Sequence, residues 1–237
     1  MTNDPLKPNL WTPRPVAETM QVYSDWADSY DTDLAKRGYQ TPTRIAAALR
    51  EHMSEGGPVL DFGCGTGLSG QALRAVGFET IDGTDITAEM AEKAQAKGIY
   101  RTVTVGEPGR APCPPGAYQA IIATGVISLG AAPRDTLDVV ASSMATGNLF
   151  AFSFNDPTLA DGSYDERLAE FMGGFQKCTA QGYYPLSACP YPISSAIYVA
   201  LRWRKAFEQE DVSWGIDELD ALYSAFFWRN ALTSRYD

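Results

Sequence analysis

Between residues 59 and 154 short apolar runs alternate with stretches of helical period, and few architectures accommodate that alternation. VLDF (59–62) precedes a helical stretch over 68–76, and TIDGTDI (80–86) precedes another over 87–97 that Gly98 stops. YRTVTV (100–105), AIIATGVI (120–127), a helical stretch over 133–144 and NLFAFSF (148–154) follow. The apolar runs are of strand length, and strands separated by helices pair in a parallel sheet with helices on both faces. A chain of 237 residues supplies the core for such a domain without a disulfide or metal staple. The expected fold is α/β: Rossmann-like, doubly wound and mostly parallel.

The flanking segments are read by the same rules. Residues 1–15 hold four prolines and little periodicity, which predicts a flexible arm. Val16, Met20, Tyr23, Ala27, Tyr30 and Leu34 form one helical stripe. A second helix is expected from Thr41 as N-cap, with Pro42 at its first position, to the stop at Gly56-Gly57. Residues 16–55 therefore read as an N-terminal helical cap on a domain spanning 16–205. Residues 163–181 look helical, and 195–203 alternate Ile197, Val199 and Leu201 with Tyr198, Ala200 and Arg202, as an antiparallel edge strand would. A C-terminal helical extension over 206–237 would place Leu219, Leu222, Tyr223 and Phe226 on one face.

Charge and side-chain inventory remove several classes of function. With 19 Lys+Arg against 29 Asp+Glu the net charge is −10, the wrong sign for a protein of phosphate backbones. No apolar run reaches the ~18 residues that cross a bilayer, and MTNDPLKPNLWTPRP carries no apolar signal core, so a cytoplasmic protein is expected. Cys64, Cys113, Cys178 and Cys189 form no CxxC pair and read as reduced thiols. His52 is the only histidine, which argues against a zinc site or a Ser-His-Asp triad.

The chemistry concentrates at VLDFGCGTGLSG (59–70). A glycine loop between strand and helix gathers backbone N–H groups and lets a ligand approach the chain. GTGLSG satisfies GxGxxG, and Asp85 lies 22 residues after Gly63, near the about 20 expected for a ribose-binding acid in a dinucleotide fold. Asp61, directly before the glycines, speaks against a pyrophosphate and for an ammonium group, with loop N–H groups free to take a carboxylate. A ligand with both groups and a ribose is S-adenosyl-L-methionine.

VLDFGCGTG resembles the first motif of the class I S-adenosylmethionine-dependent methyltransferases, and IDGTDITAEMAEKA (81–94) resembles their second. AEKAQAKGIYRTVTVGEP (91–108) is further similar to the small methyltransferase-like proteins named after the Williams-Beuren chromosomal region. The resemblance implies that Asp61 faces the methionine ammonium and that Gly63 and Gly65 line the methionyl and ribose portion. It implies that Asp85 accepts the ribose hydroxyls, Ile86 lies against the adenine, Glu107 stands near the adenine amino group and Thr124 borders the methionyl group. Tyr30, on the cap, would close over the cofactor. Two positions depart from the pattern: Gln119 replaces an acid before the fourth strand, and MATGN (144–148) replaces a glycine-rich turn.

The function so implied is transfer of a methyl group to an oxygen or nitrogen of a small-molecule acceptor. Tyr30, Asp31, Asn155 and Asp156 are candidates to take the acceptor's proton, and spacing selects none of them. A dinucleotide-dependent oxidoreductase, a non-catalytic S-adenosylmethionine-binding protein and a methyltransferase acting on another protein remain as alternatives.

Overall fold

The structure is a computed structural model that describes residues 10–53, 56–145, 147–172, 175–181 and 195–203. The expected C-terminal extension over 206–237 and the first nine residues of the arm lie outside the described residues. Strands β1 (Val59–Phe62), β2 (Ile81–Asp85), β3 (Thr102–Val105), β4 (Ala120–Ala123), β5 (Leu149–Asn155), β6 (Phe175–Gln181) and β7 (Ser195–Trp203) form one sheet in the order β3-β2-β1-β4-β5-β7-β6. The first five are parallel. Helices α1 (Val16–Trp26), α2 (Tyr30–Lys36), α3 (Thr41–His52), α4 (Leu68–Ala75), α5 (Ala88–Ala96), α6 (Thr136–Ala141), α7 (Asp156–Asp161) and α8 (Ser163–Met172) surround it. None of the described helices is long and apolar enough to cross a membrane.

Side-chain alternation assigns the two faces of the sheet. Val59, Ile81, Ala120, Ile122 and Ala151 pack with Ile45 and Leu49 of α3, Leu73 of α4 and Ala94 of α5. Leu60, Ile121, Ala123, Phe150 and Phe152 turn to the other face, against Leu137 and Val140 of α6 and Leu168 of α8. Burying both faces explains why the strands read as continuous apolar runs.

The structure corrects four expectations about the elements. The stripe from Val16 to Leu34 is two helices, because Asp33 Oδ2 accepts from Trp26 Nε1 at 2.9 Å and from Ser29 Oγ at 2.8 Å and closes a turn between them. The helix expected over 133–144 is α-helical only within α6; both ends tighten into three-residue turns, with Thr136 N donating to Pro133 O and Met144 N to Ala141 O, each at 3.0 Å. The strand expected over 120–127 stops at Ala123, and Gly125 N donates to Ser153 Oγ at 2.9 Å instead of continuing a ladder. The helix expected over 163–181 ends at Met172, and 175–181 pairs antiparallel with β7. Non-local pairing overrides local pattern there, and β7, antiparallel to β5 as well, lies inside the sheet with β6 at its edge.

Candidate active site

Between β1 and β4 the chain order reverses: β2 and β3 lie on one side, β4 and β5 on the other. Open α/β sheets hold their ligands in the crevice beyond the C-terminal strand ends at such a point. Asp61, on β1, is 0 % exposed. Its Oδ2 accepts from the Tyr100 hydroxyl at 2.6 Å, while its buried Oδ1 has no hydrogen-bond partner among the described residues. Thr124, just past β4, has a buried Oγ1 in the same condition. Two unmatched polar atoms at neighbouring strand ends mark a place that the described residues leave incomplete. Burial pushes the Asp61 carboxyl up to about 7, against the lowering effect of the Tyr100 hydrogen bond, and the charge of Asp85 raises it further.

The glycine loop is built differently from the expectation that its N–H groups are offered to a ligand. Gly63 N and Cys64 N donate to Thr84 O at 2.7 and 3.0 Å, and Gly67 N donates to Cys64 O at 2.9 Å. Gly65 N donates to Asp85 Oδ2 at 2.8 Å and Gly70 N to the Tyr100 hydroxyl at 3.1 Å. These donors are engaged inside the protein. Gly65 earns its place by conformation: φ is +53° and open space lies where a Cβ would stand. Gly70 answers a different need, since its Cβ would overlap the Tyr100 ring.

Tyr100 is the residue that sequence reasoning missed. The glycines at 67, 70 and 83 stand against its ring, so glycine spacing taken as a ligand cue is in part the imprint of one aromatic side chain. An aromatic residue two positions after the Gly98 helix stop was the available signal.

Asp85 ends β2 with Gly65 N donating to Oδ2 and Thr87 N to Oδ1, both at 2.8 Å, and with the Thr87 hydroxyl and Ile86 N as further donors. Burial raises its pKa above the ordinary carboxylate value, and the backbone N–H groups of Thr87 and Gly65 offset part of that. Ile86 lies half-buried beside it. Gly63 follows β1 directly. Glu107, in the loop after β3, is exposed and pairs with Arg110 at 2.9 Å. The structure thus brings Asp61, Gly63, Gly65, Asp85, Ile86 and Thr124 to one edge of the sheet, with Glu107 at its periphery.

The cap roofs this edge. Asp31 of α2 accepts from Thr66 Oγ1 in the loop and pairs with Lys97 Nζ, just past α5, at 2.6 Å, while Asp28 pairs with Lys93 at 2.6 Å. Tyr23, Trp26, Tyr30 and Tyr39 line a pocket under the cap, facing Ser153 and Asn155 at the end of β5. Trp26 and Tyr30 meet edge to face with ring centroids 4.6 Å apart. Burial raises the Tyr23 and Tyr39 hydroxyls to about 12, and burial holds Tyr30 well above its ordinary value, so all three stay neutral. The end of the expected arm also belongs here: Leu10 and Trp11 line the pocket, and the Leu10 carbonyl occupies the space a Cβ at Gly130 would need. Of the four candidate proton acceptors, Tyr30 and Asn155 line the pocket, Asp31 is turned to Thr66 and Lys97, and Asp156 opens α7.

Comparison with known proteins fits this geometry. The family described as "Methyltransferase domain" matches residues 34–195. Methyltransferase-like protein 27 of Homo sapiens is 36% identical over 128 residues, 52% of this chain and 52% of that protein. The ribosomal protein L11 methyltransferase of Burkholderia vietnamiensis is 28% identical over 131 residues, 50% of this chain and 43% of that protein. The matched part of the chain thus spans about half the length of these curated relatives. Among solved structures, the magnesium protoporphyrin IX methyltransferase of Synechocystis with bound SAM superposes with a TM-score of 0.55 at 20% identity, over 78% of this chain and 97% of that one, which shows a shared fold. By its matched domain, its sheet order and its two motifs, the chain belongs to the methyltransferase domain family, in the class I form that uses S-adenosyl-L-methionine.

Proposed function

We propose that the protein transfers a methyl group from S-adenosyl-L-methionine to an oxygen or nitrogen of a small-molecule acceptor in the cytoplasm. The observation that carries this reading is Asp61: a fully buried carboxylate with one unmatched oxygen, behind a loop whose N–H groups are largely engaged. An ammonium group would complete it, whereas a pyrophosphate would meet a negative charge and few free donors. That asymmetry disfavours the dinucleotide alternative.

S-adenosyl-L-methionine, when bound, would supply an electrophilic sulfonium methyl, whose carbon an acceptor lone pair can attack in line as the carbon–sulfur bond breaks and its electrons stay on sulfur. In this reading Asp61 Oδ1 holds the ammonium and Thr124 Oγ1 the methionyl end. Gly65 leaves room along the loop while Gly63, with Val126 packed where a Cβ would stand, lets the chain turn beside the methionyl portion; Asp85 takes the ribose hydroxyls, and Ile86 and Glu107 flank the adenine. Tyr30 and the cap exclude water and align the acceptor. Alignment of this kind is worth on the order of 7–11 kcal/mol without a dedicated base. One curated relative is named for a ribosomal protein substrate; a pocket lined by Trp11, Tyr23, Trp26, Tyr30 and Tyr39 supports a small acceptor here.

The test is calorimetric titration of the protein with S-adenosylhomocysteine and, separately, with NAD. Binding at about micromolar Kd, near 8 kcal/mol, is expected for the first and none for the second. Asp85→Ala should weaken S-adenosylhomocysteine about 100-fold by removing both ribose acceptors. NAD binding in its place would overturn the reading. Binding without turnover of S-adenosylmethionine in the presence of any acceptor would leave a non-catalytic binding protein.

A further inference from the structure

We infer that the pocket under the cap receives an uncharged, flat aromatic acceptor carrying a neutral oxygen, an inference that rests on the methyl-transfer reading above. The first support is the character of the walls. The arm and cap contribute Leu10, Trp11, Tyr23, Trp26, Tyr30 and Tyr39, and no Asp, Glu, Lys, Arg or His lines the pocket among the described residues. In a protein of net charge −10, a lining without a charged side chain among the described residues is a local exception. An ion entering it would lose its hydration with no counter-charge among the described lining residues. The tyrosine hydroxyls do not change this, because burial keeps all three protonated. Tyr23, Trp26 and Tyr30 pack on one another with ring centroids 4.6 to 6.4 Å apart, and so form one aromatic wall against which a planar ring can lie.

The second support is the polar end of the pocket, which is one-sided. Ser153 Oγ already accepts from Gly125 N at 2.9 Å, which leaves its own proton to donate. Asn155 Oδ1 already accepts from Thr158 N at 3.0 Å and Thr158 Oγ1 at 2.6 Å, which leaves its amide N–H groups as donors. The β5 end therefore presents donors, and a hydroxyl or carbonyl oxygen is the group they match. That end adjoins Gly125, where the Tyr39 hydroxyl lies 2.8 Å from the position of a Cβ, next to the unmatched Thr124 Oγ1. An oxygen held there is adjacent to the place proposed for the methionyl end of the cofactor.

The test uses the full chain saturated with S-adenosylhomocysteine and three probes that share one ring and differ in charge, in calorimetric titration: 2-naphthol, 2-naphthoate and 2-naphthylmethylammonium. 2-Naphthol is expected to bind at least about tenfold more tightly than either ion. Equal or tighter binding of an ion, or no binding of any probe, overturns the inference while S-adenosylhomocysteine binding leaves the cofactor reading intact. Failure of S-adenosylhomocysteine itself to bind, measured first, overturns the cofactor reading and the acceptor assignment with it. Trp11→Glu, on the arm rather than in the core, should lower 2-naphthol affinity about tenfold and raise that of the ammonium probe. Unchanged affinities for 2-naphthol and for the ammonium probe in that variant would sink the inference.

Discussion

Asp82 and Asp61 are both buried carboxylates on adjacent strands, 3 % and 0 % exposed, yet their surroundings differ in kind. Asp82 takes hydrogen bonds from Arg101, from Tyr118 at 2.8 Å, and from Thr102 through its backbone N at 3.1 Å and its hydroxyl at 2.9 Å. Asp61 takes one, from Tyr100, and leaves Oδ1 unmatched among the described residues. The first is a finished structural joint that ties the neighbouring strand and loop to β2. The second is an unfinished site. Burial alone does not separate structure from function in this molecule; the degree to which the chain itself satisfies the buried charge does.

Breaking the finished joint should have the largest effect on stability and none on the cofactor. Asp82→Ala leaves Tyr118 and the Thr102 N–H without their acceptor and is expected to cost about 3 kcal/mol in urea denaturation. S-adenosylhomocysteine affinity of the folded fraction should be unchanged.

Asp61→Asn should do the reverse. Its carboxyl lies at about 7 in the folded protein, against a usual value near 4. The folded state therefore holds this proton more tightly than the unfolded chain, and the residue's contribution to stability falls as pH rises from about 4 through about 7. The Asn variant, with no charge to bury, should lose that decline and gain on the parent above pH 7. Binding of an ammonium ligand needs the ionised form, so parent affinity should climb over the same window. The variant should show a flat profile and about 30-fold weaker binding at pH 8. A profile that still climbs would remove Asp61 from the ligand site.

The two carboxylates also mark how far the sequence could be read. Strand-helix alternation located the parallel sheet, and the motif around Asp61 located the crevice, because both are local patterns with one physical reading. The helix break at 27–29 was invisible to periodicity, since Tyr23, Trp26, Tyr30 and Leu34 serve one cluster on both sides of it. The strand at 175–181 depends on a partner about 20 residues away and leaves no local mark. Tyr100 reaches Asp61 and Gly70 across 39 and 30 residues, so neither its hydrogen bonds nor its claim on the glycines could be read from the motif.

Tyr100→Phe sharpens the comparison from the other side by making Asp61 less finished still. It removes the sole protein donor to Oδ2 among the described residues and the acceptor for Gly70 N, at about 1 kcal/mol of stability. Since that hydrogen bond lowers the Asp61 carboxyl, its loss should move the midpoint of the affinity profile to higher pH. A purely structural role would lower affinity evenly at every pH and leave the midpoint in place.

Asp31 supplies the smallest effect and the intermediate case. Both its oxygens have partners, as those of Asp82 do, but its side chain is 42% exposed, and its partners belong to separate elements: Thr66 in the glycine loop and Lys97 beyond α5. Exposed ion pairs contribute about 0–1 kcal/mol, so Asp31→Asn should barely change the urea midpoint. What the contact does is hold the cap against the loop, and a contact between elements that must part for ligand exchange acts on rates. The variant should release S-adenosylhomocysteine about threefold faster in stopped-flow tryptophan fluorescence. The parent's release should quicken with added salt, because screening weakens the Lys97 pair, while the variant's changes less. Equal release rates and equal salt dependence would mean that the cap opens elsewhere, and that Asp31 is a second finished joint on the surface.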